Sequence, residues 1–276
     1  MVELAVAPVT ETEIDQQVII DIGGMPALVR SDSPAFLRML ENRYSGFINP
    51  LAQADLELDI DLVSPGQITA EEDVSVRFAR GQWIIERGDL RAEWDPASRH
   101  GRIVQSANPY SIDTALRIIH SLTLAEEGGL LIHAASAVRN GRAFLFSGIS
   151  GAGKTTISRL APSDAILLTD EISYVRQRGT HYVAHGTPFA GELAEPGENI
   201  SAPLAGLYFL EKGPRNSIKQ LKASETARSL LENVLFFAKD PELVALVFES
   251  ACELVRKVPV YQLTFYPDRR VWELIA

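Results

Sequence analysis

The residues from Gly148 to Thr155 are the part of this sequence that points most directly to chemistry. They read Gly-Ile-Ser-Gly-Ala-Gly-Lys-Thr and fit the pattern G-x-x-x-x-G-K-[ST] in full. Glycines let such a loop turn its backbone N–H groups around phosphate oxygens, in conformations that a Cβ would obstruct. Lys154 would reach the β- and γ-phosphates, and the Thr155 hydroxyl would bind magnesium. The pattern therefore predicts binding of ATP and Mg²⁺ by Gly148, Ser150, Gly151, Ala152, Gly153, Lys154, Thr155 and Thr156.

Two adjacent carboxylates and a histidine could act on a nucleotide held by this loop. Asp170 and Glu171 follow the apolar run AILL, one short segment beyond the loop. A phosphate-binding loop needs a second magnesium anchor, so one carboxylate can hold the metal while the other accepts a proton from an attacking hydroxyl. His133, in the apolar segment LLIHAASAV, fits two interpretations equally well. It is either a packed histidine with satisfied hydrogen bonds or a group near the metal and the γ-phosphate.

The segments around the loop predict an α/β core over residues 128–276. RAFLFS precedes the loop as an apolar strand, TTISRLA follows it as a helix, and AILLTDE has the composition of the next strand. This order of strand, loop, helix and strand is typical of nucleotide-binding cores. Helices over about 224–238 and 241–256, followed by the alternating strand VPVYQLTFY, are predicted to complete it.

Residues 1–127 are predicted to form a mostly β module. Between residues 16 and 107, short alternating segments such as LELDIDLV and WIIERG are separated by turn-forming residues, which indicates an antiparallel sheet. The segment SPAFLRMLENRYSGF predicts one short helix, with Ser33 as its cap and Pro34 in its first turn. A helix over residues 110–127, ended by two glycines, leads into the core.

Composition narrows the classes of partner. The net charge is −10, and the first 75 residues hold fourteen Asp or Glu and only three Arg. Neither half has a basic surplus, so binding of nucleic acid or of an anionic membrane is not expected. No apolar run approaches the roughly 20 residues that span a bilayer, and the acidic N-terminus does not resemble a secretory signal. A single cysteine excludes an internal disulfide framework, and a cytoplasmic location is predicted.

The segments IHAASAVRNGRAFLFSGISGAGKTTISRL and ILLTDE resemble the nucleotide-binding core of the HPr serine kinase/phosphorylase family. They are equally similar to the core of ATP-dependent phosphoenolpyruvate carboxykinase. Both families place a histidine on the strand before the loop and paired acids on the strand after it. The resemblance covers residues 130–175. It implies an α+β or α/β fold in which an N-terminal antiparallel β module precedes a phosphoenolpyruvate carboxykinase-like P-loop core with C-terminal helices.

The two resemblances imply different roles for the same side chains. By comparison with the kinases, Asp170 accepts the proton of the acceptor serine, Lys154 neutralises charge on the phosphates, and Glu171 binds magnesium together with Thr155. By comparison with the carboxykinase, His133 and the acidic pair are all metal ligands. The catalytic residues implied are thus Asp170, Lys154 and His133, and the role of His133 stays open.

Three departures limit what these resemblances imply. Glu171 stands where the HPr kinases usually have a second aspartate, their E-I-R-G segment is missing, and the substrate-binding segments of the carboxykinase have no counterpart. Neither HPr as a substrate nor decarboxylation is therefore expected. The whole chain is more similar to short HPr-kinase-related proteins of bacteria, some of which are implied to phosphorylate serine on peptides or proteins.

The leading hypothesis is a Mg-ATP-dependent kinase that acts on a serine-type hydroxyl of a protein or peptide. A nucleotide-sensing adaptor without catalysis and a kinase of a small hydroxylated metabolite are the alternatives. The segment HGTPFAGE, from His185 to Glu192, could close over the phosphates or the acceptor, or simply connect two strands. Lys212 and Arg215 are candidates for stabilising charge in the transition state. By comparison with the HPr kinases, a homo-oligomer is possible.

Overall fold

Two β-sheets with a long helix between them make up most of the described chain. The computed structural model describes residues 16–71 and 73–275, with no side chains for residues 223–225. The predicted absence of a secretory signal concerns residues 1–15, which lie outside this part. None of the helices described is long and apolar enough to cross a membrane.

The first sheet has seven strands, in the order β1-β2-β3-β7-β6-β5-β4. The prediction of a purely antiparallel module was wrong, because β3 pairs in parallel with both β2 and β7. A helix carries the chain from β2 back to the start of β3, and such a crossover makes the two strands parallel. The strands are β1 (Gln17–Ile22), β2 (Met25–Arg30), β3 (Leu56–Leu62), β4 (Ser75–Ala79), β5 (Gln82–Arg87), β6 (Leu90–Asp95) and β7 (His100–Gln105).

The crossover helix, α1 (Pro34–Arg43), begins as the sequence predicts. The Ser33 hydroxyl accepts a hydrogen bond from the backbone N–H of Phe36 at 3.3 Å, and proline occupies the first turn. A serine cap satisfies one of the free N–H groups at a helix start and stabilises it by about 1 kcal/mol. One apolar face, Phe36, Leu37 and Leu40, is buried against the sheet.

The second helix, α2 (Pro109–Glu126), lies between the two sheets. Helix α2 follows β7 in the chain. Its buried apolar residues belong to one continuous core that includes side chains of both sheets. Most of the helix is buried on all sides, which is why its sequence shows little polar surface. Helix α2 therefore gives both sheets a common surface to pack against.

The second sheet has eight strands, and its path runs β10-β8-β11-β12-β13-β15-β14, with β9 paired to β8 and β13. It is mostly antiparallel, but β13 pairs in parallel with β9 and β15. The strands are β8 (Leu130–Arg139), β9 (Arg142–Ser147), β10 (Ala165–Thr169), β11 (Ile172–Arg178), β12 (His181–His185), β13 (Ser201–Lys212), β14 (Ser217–Gln220) and β15 (Val260–Phe265).

Three further α-helices belong to this part of the described chain: α3 (Lys154–Arg159), α4 (Ala223–Leu231) and α5 (Pro241–Lys257), with a 3₁₀ turn at Arg269–Glu273. The predicted helix over 224–238 was too long. Beyond Leu231 the chain runs extended beside β8, where the Leu235 N–H donates to the carbonyl of Leu131 and Val234 bridges to Ile132. Backbone pairing to a strand edge has replaced the helical hydrogen bonds there.

Stability is expected to fall as the pH drops below about 6.5, because His120 is buried in its neutral form. Its Nδ1 lies 2.7 Å from the Tyr174 hydroxyl, and burial, with a smaller effect of the Arg176 charge, lowers the pKa of His120 to about 3. The unfolded chain binds this proton near pH 6.5 and the folded chain does not, so the stabilisation is present above that pH and lost below it. We expect the free energy of unfolding to fall by roughly 2 kcal/mol between pH 6.5 and pH 5.

Denaturant titrations at the two pH values test this expectation. The variant His120→Gln keeps a hydrogen-bonding side chain but does not titrate, so its loss over the same range should be smaller. Equal losses in the two proteins would contradict the assignment to His120.

Candidate functional site

The glycine-rich loop predicted to bind phosphate joins β9 to α3. Gly151 has φ +78° and Gly153 has φ +115°, backbone conformations that side chains rarely adopt. A Cβ on Gly153 would also lie 2.5 Å from a ring carbon of Phe265, and one on Gly148 would lie 2.8 Å from the Cβ of Ala152. The loop therefore requires glycine at these positions, and it keeps its backbone close to the neighbouring strands.

Lys154, the first residue of α3, is 7% exposed. Its Nζ donates a hydrogen bond to the carbonyl of Gly148 at 3.1 Å, across the loop. Burial lowers the pKa of Lys154, and the negative charges of Glu171 and Glu192 oppose this effect. A cation held inside the loop in this way is available to an anion that the loop surrounds.

A cavity of about 590 Å³ opens beside the loop. Its walls come from α2, β8, the loop and start of α3, the acidic pair, the segment after β12 and the end of β13. The lining residues are Arg117, His133, Ser150, Gly151, Gly153, Lys154, Thr155, Thr156, Glu171, Ala190, Gly191, Glu192 and Lys212. We call this space the loop cavity.

His133 and Glu171 face each other in the loop cavity. Nε2 of His133 lies 3.5 Å from Oε1 of Glu171, and both side chains are about one-third exposed (30% and 36%). His133 is the main cause that lowers the pKa of Glu171, with smaller contributions from the charges of Lys154 and Arg117, while burial opposes them. Glu171 therefore stays ionised at neutral pH and presents an anion to the cavity that the glycine-rich loop also lines.

Asp170 lies in a different environment from its neighbour. Only 1% of the residue is exposed, and it does not line the loop cavity. Its Oδ1 accepts the backbone N–H of Gly191 at 2.7 Å, and its Oδ2 accepts that of Leu193 at 2.9 Å. Although the sequence places the two acids side by side, the structure exposes Glu171 to the cavity and uses Asp170 to hold a segment of chain.

That segment, residues 186–197, is named here the cover loop. It runs over the acidic pair and is tied to β10 at its start, where the Thr187 N–H donates to Leu168 O, and just after its end, where the Glu198 N–H donates to Leu167 O. Within the loop, the Gly197 N–H donates to Thr187 O. The Thr187 hydroxyl donates to Ile172 O at 2.8 Å. A Cβ on Gly191 would lie 2.7 Å from a Glu171 oxygen, so glycine lets the cover loop approach this carboxylate without displacing it.

The predicted residues of this segment are separated by the fold. The segment from His185 to Glu192 has two ionisable side chains, those of His185 and Glu192. Of these two, only the exposed Glu192 lines the loop cavity. His185 ends β12 away from the cavity, and burial lowers its pKa to about 4. Lys212 lines the loop cavity, whereas Arg215 does not.

Arg117 is a cavity residue that sequence reasoning missed. It lies on α2, and its guanidinium carbon lies 4.5 Å from the centroid of the Phe189 ring in the cover loop. The signal in the sequence that could have identified Arg117 is its position as a basic residue within an otherwise apolar helix. A cation in a helix that is otherwise largely buried needs a partner or a cavity.

The chemistry that these residues allow is the binding of a polyanion and a hard cation. The loop supplies backbone donors, Lys154 and Arg117 supply positive charge, and the Thr155 hydroxyl and Glu171 supply the oxygen ligands that magnesium prefers. No group of three or more His, Cys, Asp or Glu within the described residues could hold a metal by itself. A magnesium ion bound here would therefore need phosphate oxygens and water as further ligands, as is usual for this ion.

Fold and site together define a class: a mixed α/β protein of two sheets, with a glycine-rich loop and a histidine–glutamate pair lining one cavity. The family model described as SynChlorMet cassette protein ScmC matches residues 105–276, and the chain belongs to this family. The matched region begins at the last residue of β7 and includes every residue that lines the loop cavity. No curated protein matches the chain.

Proposed function

We propose that this protein is a Mg-ATP-dependent kinase that transfers the γ-phosphoryl group to a serine-type hydroxyl of a protein or peptide. The observation that carries the proposal is the loop cavity, a space of about 590 Å³ that is lined by a glycine-rich loop with a buried lysine and by a carboxylate. A space of that size is in the range of ligand pockets. The proposal includes a phosphoenolpyruvate carboxykinase-like P-loop core of the HPr-kinase-related type, as the sequence resemblance implies.

Nucleotide binding is assigned to the loop. Backbone N–H groups of residues 148–153 would surround the phosphates, Lys154 would neutralise charge that develops on them, and Thr155 with Glu171 would hold magnesium. A magnesium ion held by these residues would supply positive charge that helps to neutralise the phosphates. Phosphoryl transfer needs little covalent work from a protein, so positioning and electrostatics would provide most of the rate enhancement.

The proton acceptor would be one of the two adjacent acids, Asp170 or Glu171, which lie in different environments. Asp170, the base implied by the kinase resemblance, can take a proton from the acceptor only after the cover loop releases its oxygens. Glu171 already faces the cavity, with His133 beside it to orient the carboxylate. In the conformation described, Glu171 is therefore the acid that is ready to act as the base, and in that case Thr155, phosphate oxygens and water would hold magnesium. Opening of the cover loop would instead free Asp170 to act as the base, with Glu171 on the metal.

One observation favours the second candidate, a nucleotide-sensing adaptor. Both oxygens of Asp170 are already used to hold the cover loop. If that arrangement persists with nucleotide bound, Asp170 serves structure and the cover loop reports the state of the site to a partner.

The experiment that tests the proposal is transfer of label from γ-labelled Mg-ATP into a lysate of the source cells. Wild type and Lys154→Met are compared, because methionine fills nearly the same buried volume without the charge. A labelled species formed only by the wild type would support the kinase and identify its acceptor. ATP that stays bound and intact, with no labelled species, would favour the adaptor.

A further inference from the structure

A second cavity lies on the other side of the cover loop. Its volume is about 540 Å³, and it lies between α1, α2 and the cover loop. Two of its residues, Arg117 and Ala190, also line the loop cavity, so the two spaces share a wall. Its lining residues are Asn42, Arg43, Tyr110, Asp113, Arg117, Pro188, Ala190, Ala194 and Pro196.

The carboxylate in this second cavity, that of Asp113, already has hydrogen-bond partners within the protein. Nε of Arg43 donates to Oδ1 of Asp113 at 3.0 Å, a second Arg43 nitrogen donates to Oδ2, and the buried Tyr44 hydroxyl also donates to Oδ1. Hydrogen bonds to both oxygens leave Asp113 little capacity to bind a basic ligand. The Arg43–Asp113 pair is therefore structural, and together the two residues add no net charge.

Arg117 remains as the cation of this cavity without a direct ion-pair partner. Within the described residues no carboxylate lies within salt-bridge distance of Arg117, and its buried Nε has no hydrogen-bond partner there. The Phe189 ring attracts the guanidinium through a cation–π contact, which uses none of its hydrogen-bond donors. A guanidinium with free donors at the wall between two cavities is suited to bind a carboxylate or phosphate group.

We propose that the second cavity binds the phosphoryl acceptor, and that the acceptor is a peptide segment with a carboxylate next to its hydroxyl-bearing residue. This inference rests on the proposed kinase function. Tyr110 is 70% exposed at the edge of the cavity, so the space opens to solvent and a chain can continue beyond it. Its ring and the prolines of the cover loop offer apolar surface for neighbouring side chains, while Arg117 offers the complementary charge.

The two cavities are neighbours, as the reaction requires. The acceptor hydroxyl would reach the γ-phosphate in the loop cavity past Arg117 and Ala190, the residues that line both spaces. Its oxygen forms a bond to the γ-phosphorus, and the bond from that phosphorus to the bridging oxygen of the β-phosphate breaks. The electron pair of the broken bond leaves with ADP, and the hydroxyl proton passes to a carboxylate of the Asp170–Glu171 pair.

Part of the second cavity lies outside the region that the family model matches. Asn42 and Arg43 come from α1, the helix that packs against the first sheet. The residues that line the loop cavity all lie within 105–276. The first sheet therefore has a role in acceptor recognition under this proposal, and nucleotide binding does not depend on it directly.

The test uses the full chain with Mg-ATP and synthetic peptides that carry one central serine in randomised flanks. One pool has a fixed aspartate next to the serine, a second has lysine there, and free serine is the small-molecule probe. We expect the aspartate pool to be labelled with a kcat/KM at least about tenfold above that of the lysine pool.

Asn42→Trp fills the second cavity, and Glu41→Trp places the same ring one position earlier on α1, at an exposed residue that lines neither cavity. We expect Asn42→Trp to raise KM for the aspartate pool about tenfold, with the Kd of Mg-ATP close to that of the wild type. The Kd also serves as the check that the variant is folded. Glu41→Trp should keep the wild-type KM.

Each other outcome overturns a stated part of the inference. Equal effects of the two tryptophan variants, or a preference for the lysine pool, would overturn the second cavity as the acceptor site while leaving the kinase intact. Label in free serine alone would overturn the peptide class and again leave the kinase intact. Bound but unhydrolysed ATP, with no labelled acceptor of any kind, would overturn the kinase itself and this inference with it.

Discussion

Replacing Lys154 by methionine is expected to lower phosphoryl transfer from Mg-ATP by about 10³-fold. The lysine is buried in the glycine-rich loop, and its Nζ lies 3.1 Å from the carbonyl oxygen of Gly148, so its charge is already placed where phosphate oxygens would collect. Removing a preorganised charge from a largely dehydrated site costs more than removing one from the surface, because little water is there to replace it. The measurements are the single-turnover rate of transfer and the Kd of Mg-ATP.

Lys239→Met is the matched control for the loss of a positive charge. Lys239 is exposed and lines neither cavity, so this variant should transfer at the wild-type rate. Wild-type transfer by Lys154→Met, in a folded protein, would remove the main argument for phosphate binding at this loop.

The acidic pair should respond to amide substitution in two different ways. Glu171→Gln removes the carboxylate that faces the loop cavity and is expected to reduce transfer by about 10²- to 10⁴-fold, with the cover loop unchanged. Asp170→Asn should also reduce transfer, but through the cover loop. An asparagine has one acceptor oxygen, so its amide group would point a donor at one of the two N–H groups, of Gly191 or Leu193, that the aspartate accepts.

Hydrogen exchange separates these two effects. Losing a hydrogen bond to a buried carboxylate costs roughly 2 kcal/mol, so whichever of the Gly191 and Leu193 amides loses its acceptor should exchange ~30-fold faster in Asp170→Asn. Their exchange in Glu171→Gln should match the wild type. Glu195→Gln, an exposed change in the same cover loop, is the control for loss of a negative charge there.

A different pattern would reverse the assignment. If Glu171→Gln transferred normally while Asp170→Asn was inactive with unchanged exchange in the cover loop, Asp170 would be the base, as the kinase resemblance implies. The hydrogen bonds to the cover loop would then belong to a resting conformation only.

The local elements around the loop could be predicted because their signals are short-range. The serine cap and proline of α1 act within one helical turn, and the apolar segment RAFLFS became strand β9 immediately before the glycines. Glycines at positions 151 and 153 are needed for local backbone angles, which a sequence pattern can capture. The predicted strand AILLTDE ended earlier than expected, at Thr169, because Asp170 turns away to accept hydrogen bonds from the cover loop.

The arrangement in space was less accessible to sequence reasoning. Alternating apolar residues predict a strand but not the direction of its neighbour, so the parallel pairing of β3 with β2 and β7 could not be read from them. Asp170 and Glu171 are neighbours in the sequence, so nothing local distinguishes them, yet of the two only Glu171 lines the loop cavity. The role of Arg117 depends on Phe189, a residue far along the chain, and no spacing rule connects the two.

Arg176, on the strand that follows the acidic pair, constrains how the two sheets could be exchanged during evolution. Its side chain is 10% exposed, it donates to the carbonyls of Gly23 and Gly24 in the first hairpin, and it pairs with Glu127 at the end of α2. A gene fusion that joined residues 128–276 to a different N-terminal sheet would leave this buried guanidinium without those acceptors, a defect that costs several kcal/mol. The two sheets should therefore be inherited together, and substitutions at the first hairpin turn should be tolerated only where its carbonyl groups keep their positions.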